Sequence, residues 1–533
     1  MSYEKKSIVI NVGAHSTIAG FSNNELPACV LPSSYMQNKG HPDEYIFDKY
    51  EMLQVASSKH PELNKDDYEV FTLVDNNGVP YNWTGIGKQW EYIFEKRLKC
   101  LPQEYPLTIV IPIISKTTQL RVIMERYMEL AFEKFKFPII QFILEPLATT
   151  LSMGKKNALV IDIGFSGCKV TPIFDGIVVK NGITRNKFGG SFLDYVVNDF
   201  VKKRVESDDV DMDKEEEKGA IDAWWSSNTW IQEFKQTMLQ VCDKDLFELE
   251  RYYQEQEAMY LKQQEQMKQL GGSGIVTGTV PAFNSNVVNM TNNPLTQEKN
   301  YLYKPMKKTL KLNQREILNL TEYLFKPNLI SSNFSKDEGL SEIISKSIKK
   351  TAATIGSGKG KDGEVNEEEL TGGNNNASST NNNNSNNNNN SNNSSNTIRT
   401  VGASVIIPPK LTRNRDESKT SNNKYDHFFD DSNFNLQGDN GSTSRTPELI
   451  YSSLLTNVII TGSTSLIYGM EQRIIQELSI RFPQYKLITF ANQYMMDRSL
   501  QNWTSGVTMS NLPTWELGRW YSHEEWEMVQ TPV

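Results

Sequence analysis

The chain has 533 residues, 38% of them hydrophobic, a formal net charge of −8 and an isoelectric point near 5.5. That length predicts two or more lobes rather than a single core. The acidic balance excludes a protein that grips nucleic acid over its general surface, because phosphate neutralisation needs clustered Lys and Arg; only a local basic patch stays open.

Ser7–Phe21 reads S-I-V-I-N-V-G-A-H-S-T-I-A-G-F, an apolar β-branched run, a glycine turn and a second β-rich run. Ala158–Gly176 repeats the pattern as A-L-V-I-D-I-G-F-S-G-C-K-V-T-P-I-F-D-G. Both predict strand–turn–strand hairpins. Two such hairpins facing each other across a cleft are suited to holding phosphates with backbone N–H groups. Between them, Leu107–Pro112 predicts a buried strand and Thr118–Lys136 a helix, with Leu120, Ile123, Met124, Tyr127, Leu130, Ala131 and Phe135 near helical spacing. Strands alternating with helices over residues 1–240 indicate an α/β fold.

From Lys244 to Leu270 the chain is strong helix former rich in Glu, Gln and Lys. It reads either as a solvated projecting helix or as one that docks a partner through Leu, Tyr and Met. Gly271–Gly274 ends it, and a polar linker runs to about Leu295. Globular sequence resumes at Leu310–Phe325. Ser357–Thr446 is expected to be disordered, since its Asn/Ser tract at Thr380–Asn396 has too little apolar surface to offset chain entropy. The G-S-G-K-G-K string at Gly356 is not a phosphate loop, because no buried strand precedes it and Gly360 follows Lys359 where Ser or Thr is needed. Order is expected again at Leu454, as a strand running into the turn T-G-S-T-S and then a helix with Met470, Ile474, Ile475 and Leu478 on one face. A helix N-terminus aimed at that turn suits an anionic or polar ligand.

Cys29, Cys100, Cys168 and Cys242 are far apart and lack C-x-x-C spacing, so free thiols in a reducing compartment are expected. The five histidines are too scattered for a metal site. Neither a secretory leader nor an apolar run of about 18 residues is present, so the expected location is cytosolic or nuclear, with no membrane partner.

The order of these parts resembles actin and the actin-related proteins. The first hairpin, the L-E-P-L-A helix start at Leu144, the second hairpin, T-G-S-T-S-L-I-Y-G at Thr461, W-T-S-G-V at Trp503 and W-Y-S-x-E-E-W at Trp520 all fall in that family's sequence order. The likeness covers nearly everything outside residues 245–300 and 357–446, and it runs closest to the actin-related proteins of the fungal chromatin remodellers SWI/SNF and RSC. It implies a two-lobed, duplicated RNase H-like fold in which residues 1–243, 301–356 and 447–533 build the lobes. Residues 244–300 would be a helical insert with its linker, and 357–446 an Asn/Ser-rich insert.

The family places ATP and a divalent metal between its lobes. Carried over residue by residue, the nucleotide cleft here would use Gly13, Asp162, Gly164, Lys235, Gln236, Gly462, Ser463 and Thr464. Where actin has an acidic residue this chain has Asn11; where actin has a serine, a glycine and a phosphate-contacting lysine it has Ala14, His15 and Ile18. Phe165 stands where actin has a second aspartate, and Glu145 where actin has the glutamine that positions water. Glu145 reads either as a base or as the first residue of a helix before Pro146. Losing the lysine and weakening the metal carboxylates removes about 3–6 kcal/mol of phosphate affinity, roughly 10²–10⁴ in binding. No catalytic residue and no metal ligand is therefore assigned, and ATP is expected at most as a weak structural ligand. The resemblance further implies a nuclear, non-catalytic subunit that pairs with a second actin-related protein. Together they would bind the helicase-SANT-associated helix of the remodeller ATPase, meeting other remodeller subunits directly and chromatin indirectly. Trp515, Leu517, Trp520, Tyr521 and Trp526 are candidates to line the helix groove, or alternatively to be core. The competing readings are an ATPase or kinase of the same superfold and a filament-forming cytoskeletal subunit.

Overall fold

The computed structural model describes residues 6–48, 67–114, 117–208, 220–270, 293–356, 445–491, 498–512 and 520–530. The Asn-rich tract, Trp515 and Leu517 lie outside the described residues.

Two twisted sheets organise two cores. In the first lobe the strand Ile8–Val12 sits centrally, antiparallel to Ser16–Phe21 and parallel to Leu107–Ile111. Ile139–Leu144 and Trp520–Ser522 extend the sheet on one side and Cys29–Pro32 on the other. Strand alternation decides which side chain meets which layer. Ile8, Ile10 and Val12 join the main core with Trp90, Tyr127 and Phe132. Val9 faces the opposite way and packs with Ile18, Val110 and Trp503 of the helix Gln501–Ser510. Being covered on both faces explains why the β-branched run I-V-I-N-V is wholly buried.

The second lobe repeats the plan. Ala158–Ile163 pairs antiparallel with Cys168–Phe174 and parallel with Val458–Thr461, which in turn pairs with Thr489–Ala491. A strand beyond residue 445 thus completes a sheet begun at residue 158. Helix Gln501–Ser510 and strand Trp520–Ser522 return to the first lobe, so the described residues from Pro447 onward are shared between the lobes. Each lobe carries a small outlying sheet. Ser34–Asn38, His41–Ile46 and Tyr68–Thr72 form three strands on the first; Glu298–Tyr303 and Lys308–Asn313 form a two-stranded ribbon on the second.

Both predicted hairpins form, as Ile8–Val12 with Ser16–Phe21 and as Ala158–Ile163 with Cys168–Phe174. The Thr118–Lys136 helix is observed as Thr117–Met128 followed by a wider π-turn, Glu129–Lys134. That widening carries Ala131, Phe132 and Phe135 into the core. Leu454 proves helical rather than extended. Thr446 caps the helix Pro447–Leu455 with proline at its first position, and the strand begins at Val458. At the start of the helix Leu246–Leu270, Leu246, Leu249 and Tyr253 meet Cys242, Leu295 and Leu318. Further along, Tyr252, Met259 and Leu261 are exposed. None of the described helices is long and apolar enough to cross a membrane, and all four cysteines are free thiols.

Candidate functional site

The tips of the two hairpins face each other between the lobes. The first tip, Gly13–His15, is closed by the Gly13 N–H donating to Ser16 O at 3.0 Å; Ser33 Oγ donates to Gly13 O at 2.6 Å. In the second, the Gly164 N–H donates to Gly167 O at 3.0 Å. Its carbonyls are occupied as well. Gly190 N–H and Thr464 Oγ1 both donate to Gly164 O, at 3.0 and 2.9 Å, and Ser191 N–H donates to Phe165 O at 2.8 Å. The first donors of the helix Gly190–Asp208 are thereby spent on the chain itself, although helix N-termini are where anions commonly bind.

Aromatic rings fill the space between the tips. His15 meets Phe165 edge-on with ring centroids 4.8 Å apart. His15 Nδ1 lies 2.9 Å from Ser16 Oγ, and Nε2 lies 3.3 Å from Gln232 Nε2 in the second lobe. A neutral imidazole satisfies both contacts, one nitrogen donating and the other accepting. Burial, reinforced by the nearby Lys235 ammonium, lowers the His15 pKa to about 4 and keeps the ring neutral. Gly78, at φ +76°, sits over both tips, where an added Cβ would come within 3.2 Å of Ser166 Oγ and 3.3 Å of the Ala14 Cβ. Further out, Trp224 of the second lobe enters a cluster with Met36 and Val70 and donates from Nε1 to Ser34 Oγ at 3.2 Å.

Beneath the tips lies a small cavity lined by residues of both lobes. The hairpin register pairs Asp162 with Lys169 and Val160 with Thr171, and Thr461 pairs with Asp162 from the neighbouring strand. All five therefore share the face turned to the first lobe, where Glu145, Ile113, Pro146 and Asn502 meet them. The cavity measures about 10 Å³, room for one water at most. Asn11 Nδ2 donates to Glu145 Oε1 at 3.0 Å and to Val110 O at 3.1 Å. Burial raises the pKa of both Asp162 and Glu145, and Lys169 opposes that rise for each. Glu145 is the first residue of the helix Glu145–Ser152, the position its helix-start reading gives it, and it also lines this cavity.

The other sequence-derived candidates divide. Gly462, at φ +90°, could not carry a Cβ, which would lie 2.4 Å from Asp162 Oδ1 and from Ile163 O. Thr464 ties its turn to the second hairpin instead of capping a helix; the following helix starts at Met470 behind Gly469, with no side-chain cap. Ser463 and Gln236 are exposed. Lys235 is held by an ion pair to Asp194, which also accepts from Ser227 Oγ, and its ammonium lies 5.9 Å from the Phe165 ring centroid. The groove-lining assignment of Tyr521 and Trp526 is corrected: each is 1% exposed. Strand Trp520–Ser522 adds to the edge of the first-lobe sheet, turning Tyr521 onto Phe142 and placing Trp526 against Phe132, with centroids 6.1 and 6.3 Å apart. Trp520 is half-buried on the same strand.

Sequence reasoning missed Lys169, Asn502, Asp194 and Arg473. The first was legible, because a hairpin with its tip at Gly164–Gly167 puts residues 162 and 169 opposite each other. Arg473 is fully buried. It bonds both Glu322 carboxylate oxygens at 2.9 Å, Glu477 at 2.8 Å and the carbonyls of Lys244 and Cys242 at 2.6 and 3.2 Å. Among the described residues no group of three or more His, Cys, Asp or Glu is placed to hold a metal ion.

Residues 2–357 and 440–530 match the family model for actin. Actin-related protein 7 of Saccharomyces cerevisiae is 46% identical over 537 residues, covering 99% of this chain and 97% of that protein. Actin-related protein 4 of Candida glabrata is 22% identical over 546 residues, covering 99% and 95%. Actin-related protein 4 of Oryza sativa subsp. indica is 29% identical over 230 residues, covering 39% and 50%.

Proposed function

Because the chain belongs to the actin family, we propose that it is a non-catalytic actin-related subunit of a nuclear, ATP-dependent chromatin-remodelling complex of the SWI/SNF or RSC kind. The observation that carries this reading is the full-length similarity to Actin-related protein 7. In this reading the chain pairs with a second actin-related protein, and the pair binds the helicase-SANT-associated helix of the motor subunit. Helix-in-groove recognition lets such a pair bias the motor's conformations without chemistry of its own. Tyr521 and Trp526 take no part in that groove, being core.

The cleft supports the non-catalytic half of the reading. A nucleotide's phosphates would need the space that His15 and Phe165 occupy. Lys169 lines the same small cavity as Asp162 and Glu145 and already offsets part of their charge, which disfavours a divalent cation there. Asn11 is spent on Glu145. These residues do not fit a metal–nucleotide pair of the kind the family holds, and no hydrolytic step is derived through one. In this reading the lobes are joined by the chain's own side chains, His15 with Phe165 and Gln232 and Trp224 with Ser34, and nucleotide is not required to hold them.

Tagged native protein recovered from a nuclear extract at about 0.3 M salt, which screens weak surface contacts, tests the assignment by mass spectrometry of what co-purifies. Stoichiometric recovery of a Snf-type ATPase subunit and a second actin-related protein is expected. Recovery of the chain alone, or with cytoskeletal proteins, would overturn it.

A further inference from the structure

The ribbon Glu298–Asn313 stands out from an acidic chain. Its sixteen residues hold five lysines, Lys299, Lys304, Lys307, Lys308 and Lys311, against one acid, Glu298, in a protein whose formal charge is −8. The ribbon is rigidly seated. Tyr301, Tyr303, Leu310 and Leu312 turn inward, with Tyr301 edge-on to Phe234 at 4.8 Å and Tyr303 edge-on to Trp230 at 5.0 Å. Tyr301 also donates from its hydroxyl to Trp230 O at 3.1 Å. Its other face and its turn are open: Leu302, Met306, Lys307 and Lys311 are all exposed. Lys304 is committed to Glu233 at 2.7 Å. Among the described residues, Lys299, Lys307 and Lys311 have no ion-pair partner within 4.0 Å.

We propose that this lysine ribbon is a contact for the phosphate backbone of double-stranded DNA. Lysines are compact point charges, suited to phosphates and poor at reading bases, so the contact is sequence-independent. A two-stranded ribbon with Lys307 on its turn, Lys311 on its outer face and Lys299 half-buried at the start of its inner face can meet a duplex without the rest of the acidic surface following. The contact belongs to this chain alone and stands whether or not the remodeller assignment holds.

The test is fluorescence anisotropy of a labelled 30-base-pair duplex with the full-length protein, between about 50 and 200 mM NaCl. Three unpaired lysines predict a slope of log affinity against log salt near −2.7, about −0.9 for each phosphate neutralised. The triple variant K299Q/K307Q/K311Q is expected to lose that slope and at least about tenfold in affinity at the lowest salt. The matching Lys→Arg triple variant is expected to keep both, which separates charge from folding. Absence of wild-type binding at 50 mM NaCl, or an unchanged slope in the Gln variant, overturns the proposal. So does binding that appears only when the acids of residues 209–219 are changed to Asn and Gln, since the ribbon would then serve the chain's own acidic stretch. That stretch holds six Asp and Glu against two lysines and begins five residues beyond Arg204, whose Nη2 donates to Lys311 O at 3.1 Å.

Discussion

Replacing Lys169 with methionine keeps the length of the side chain and removes the one cation among the residues that line the cavity between the lobes. Asp162 lies opposite Lys169 on the hairpin, and Glu145 faces both from the other lobe. Removing one member of a buried charged set costs about 3–5 kcal/mol where burial is complete. Asp162 and Lys169 are only half-buried, so about 2–3 kcal/mol is the better figure here. At roughly 2–4 °C for each kcal/mol in a lobe of this size, the melting temperature falls by about 4–12 °C. The pH dependence carries the sharper signature. Both carboxyls have folded-state pKa values raised above their unfolded values near 4, so the folded chain holds more protons in that window and stability falls as pH rises through it. Lys169 holds both values down; without it the window extends upward. Scanning fluorimetry should therefore show a larger deficit near pH 7.5 than near pH 5, and adding Glu145→Gln should recover part of it. A deficit equal at the two pH values, or below about 1 °C at both, would refute the electrostatic role of Lys169.

Three further outcomes follow from the same geometry. Arg473→Met leaves Glu322 buried without its bidentate partner and should destabilise the second lobe by about 3–5 kcal/mol, read by urea unfolding, while Arg473→Met with Glu322→Leu should cost less than the single change. His15 has a folded pKa near 4 against about 6.5 unfolded, so the unfolded chain binds the extra proton and stability drops as pH falls from 6.5 towards 4. His15→Phe should flatten that part of the melting-temperature profile. Ile18→Lys should lower stability by about 2–4 kcal/mol, because Ile18 packs against Val9, Val110 and Trp503 in a closed apolar layer; an unchanged melting temperature would contradict that placement.

The fold was legible wherever local pattern and burial agree. The two hairpins and the strand at Leu107 are β-branched runs buried on both faces, and period and composition suffice for those. Leu454 was misread because its apolar run L-L-T-N-V-I-I-T crosses a boundary, and the deciding signal, Thr446 followed by Pro447 as a helix start, lies eight residues earlier. The candidate site was legible in its hairpin tips and in Gly462. Its cross-lobe contacts were not, because His15 with Phe165 and Trp224 with Ser34 join residues far apart in sequence, and no local periodicity encodes which side chains meet. The C-terminal aromatics illustrate the opposite failure: three tryptophans close together resemble a binding surface, while adding Trp520–Ser522 to a sheet edge buries Tyr521 and Trp526.

The central claim is that the lobes are held together by the chain's own side chains and not by a nucleotide. Purified full-length protein treated with apyrase and EDTA, then compared by scanning fluorimetry with the same protein in excess Mg-ATP, tests this most directly. The account predicts melting temperatures within about 1 °C of each other, since a ligand that scarcely binds adds little by linkage, and phosphate release no faster than buffer. Unfolding or a shift of several degrees on nucleotide removal, or sustained phosphate release, would contradict it.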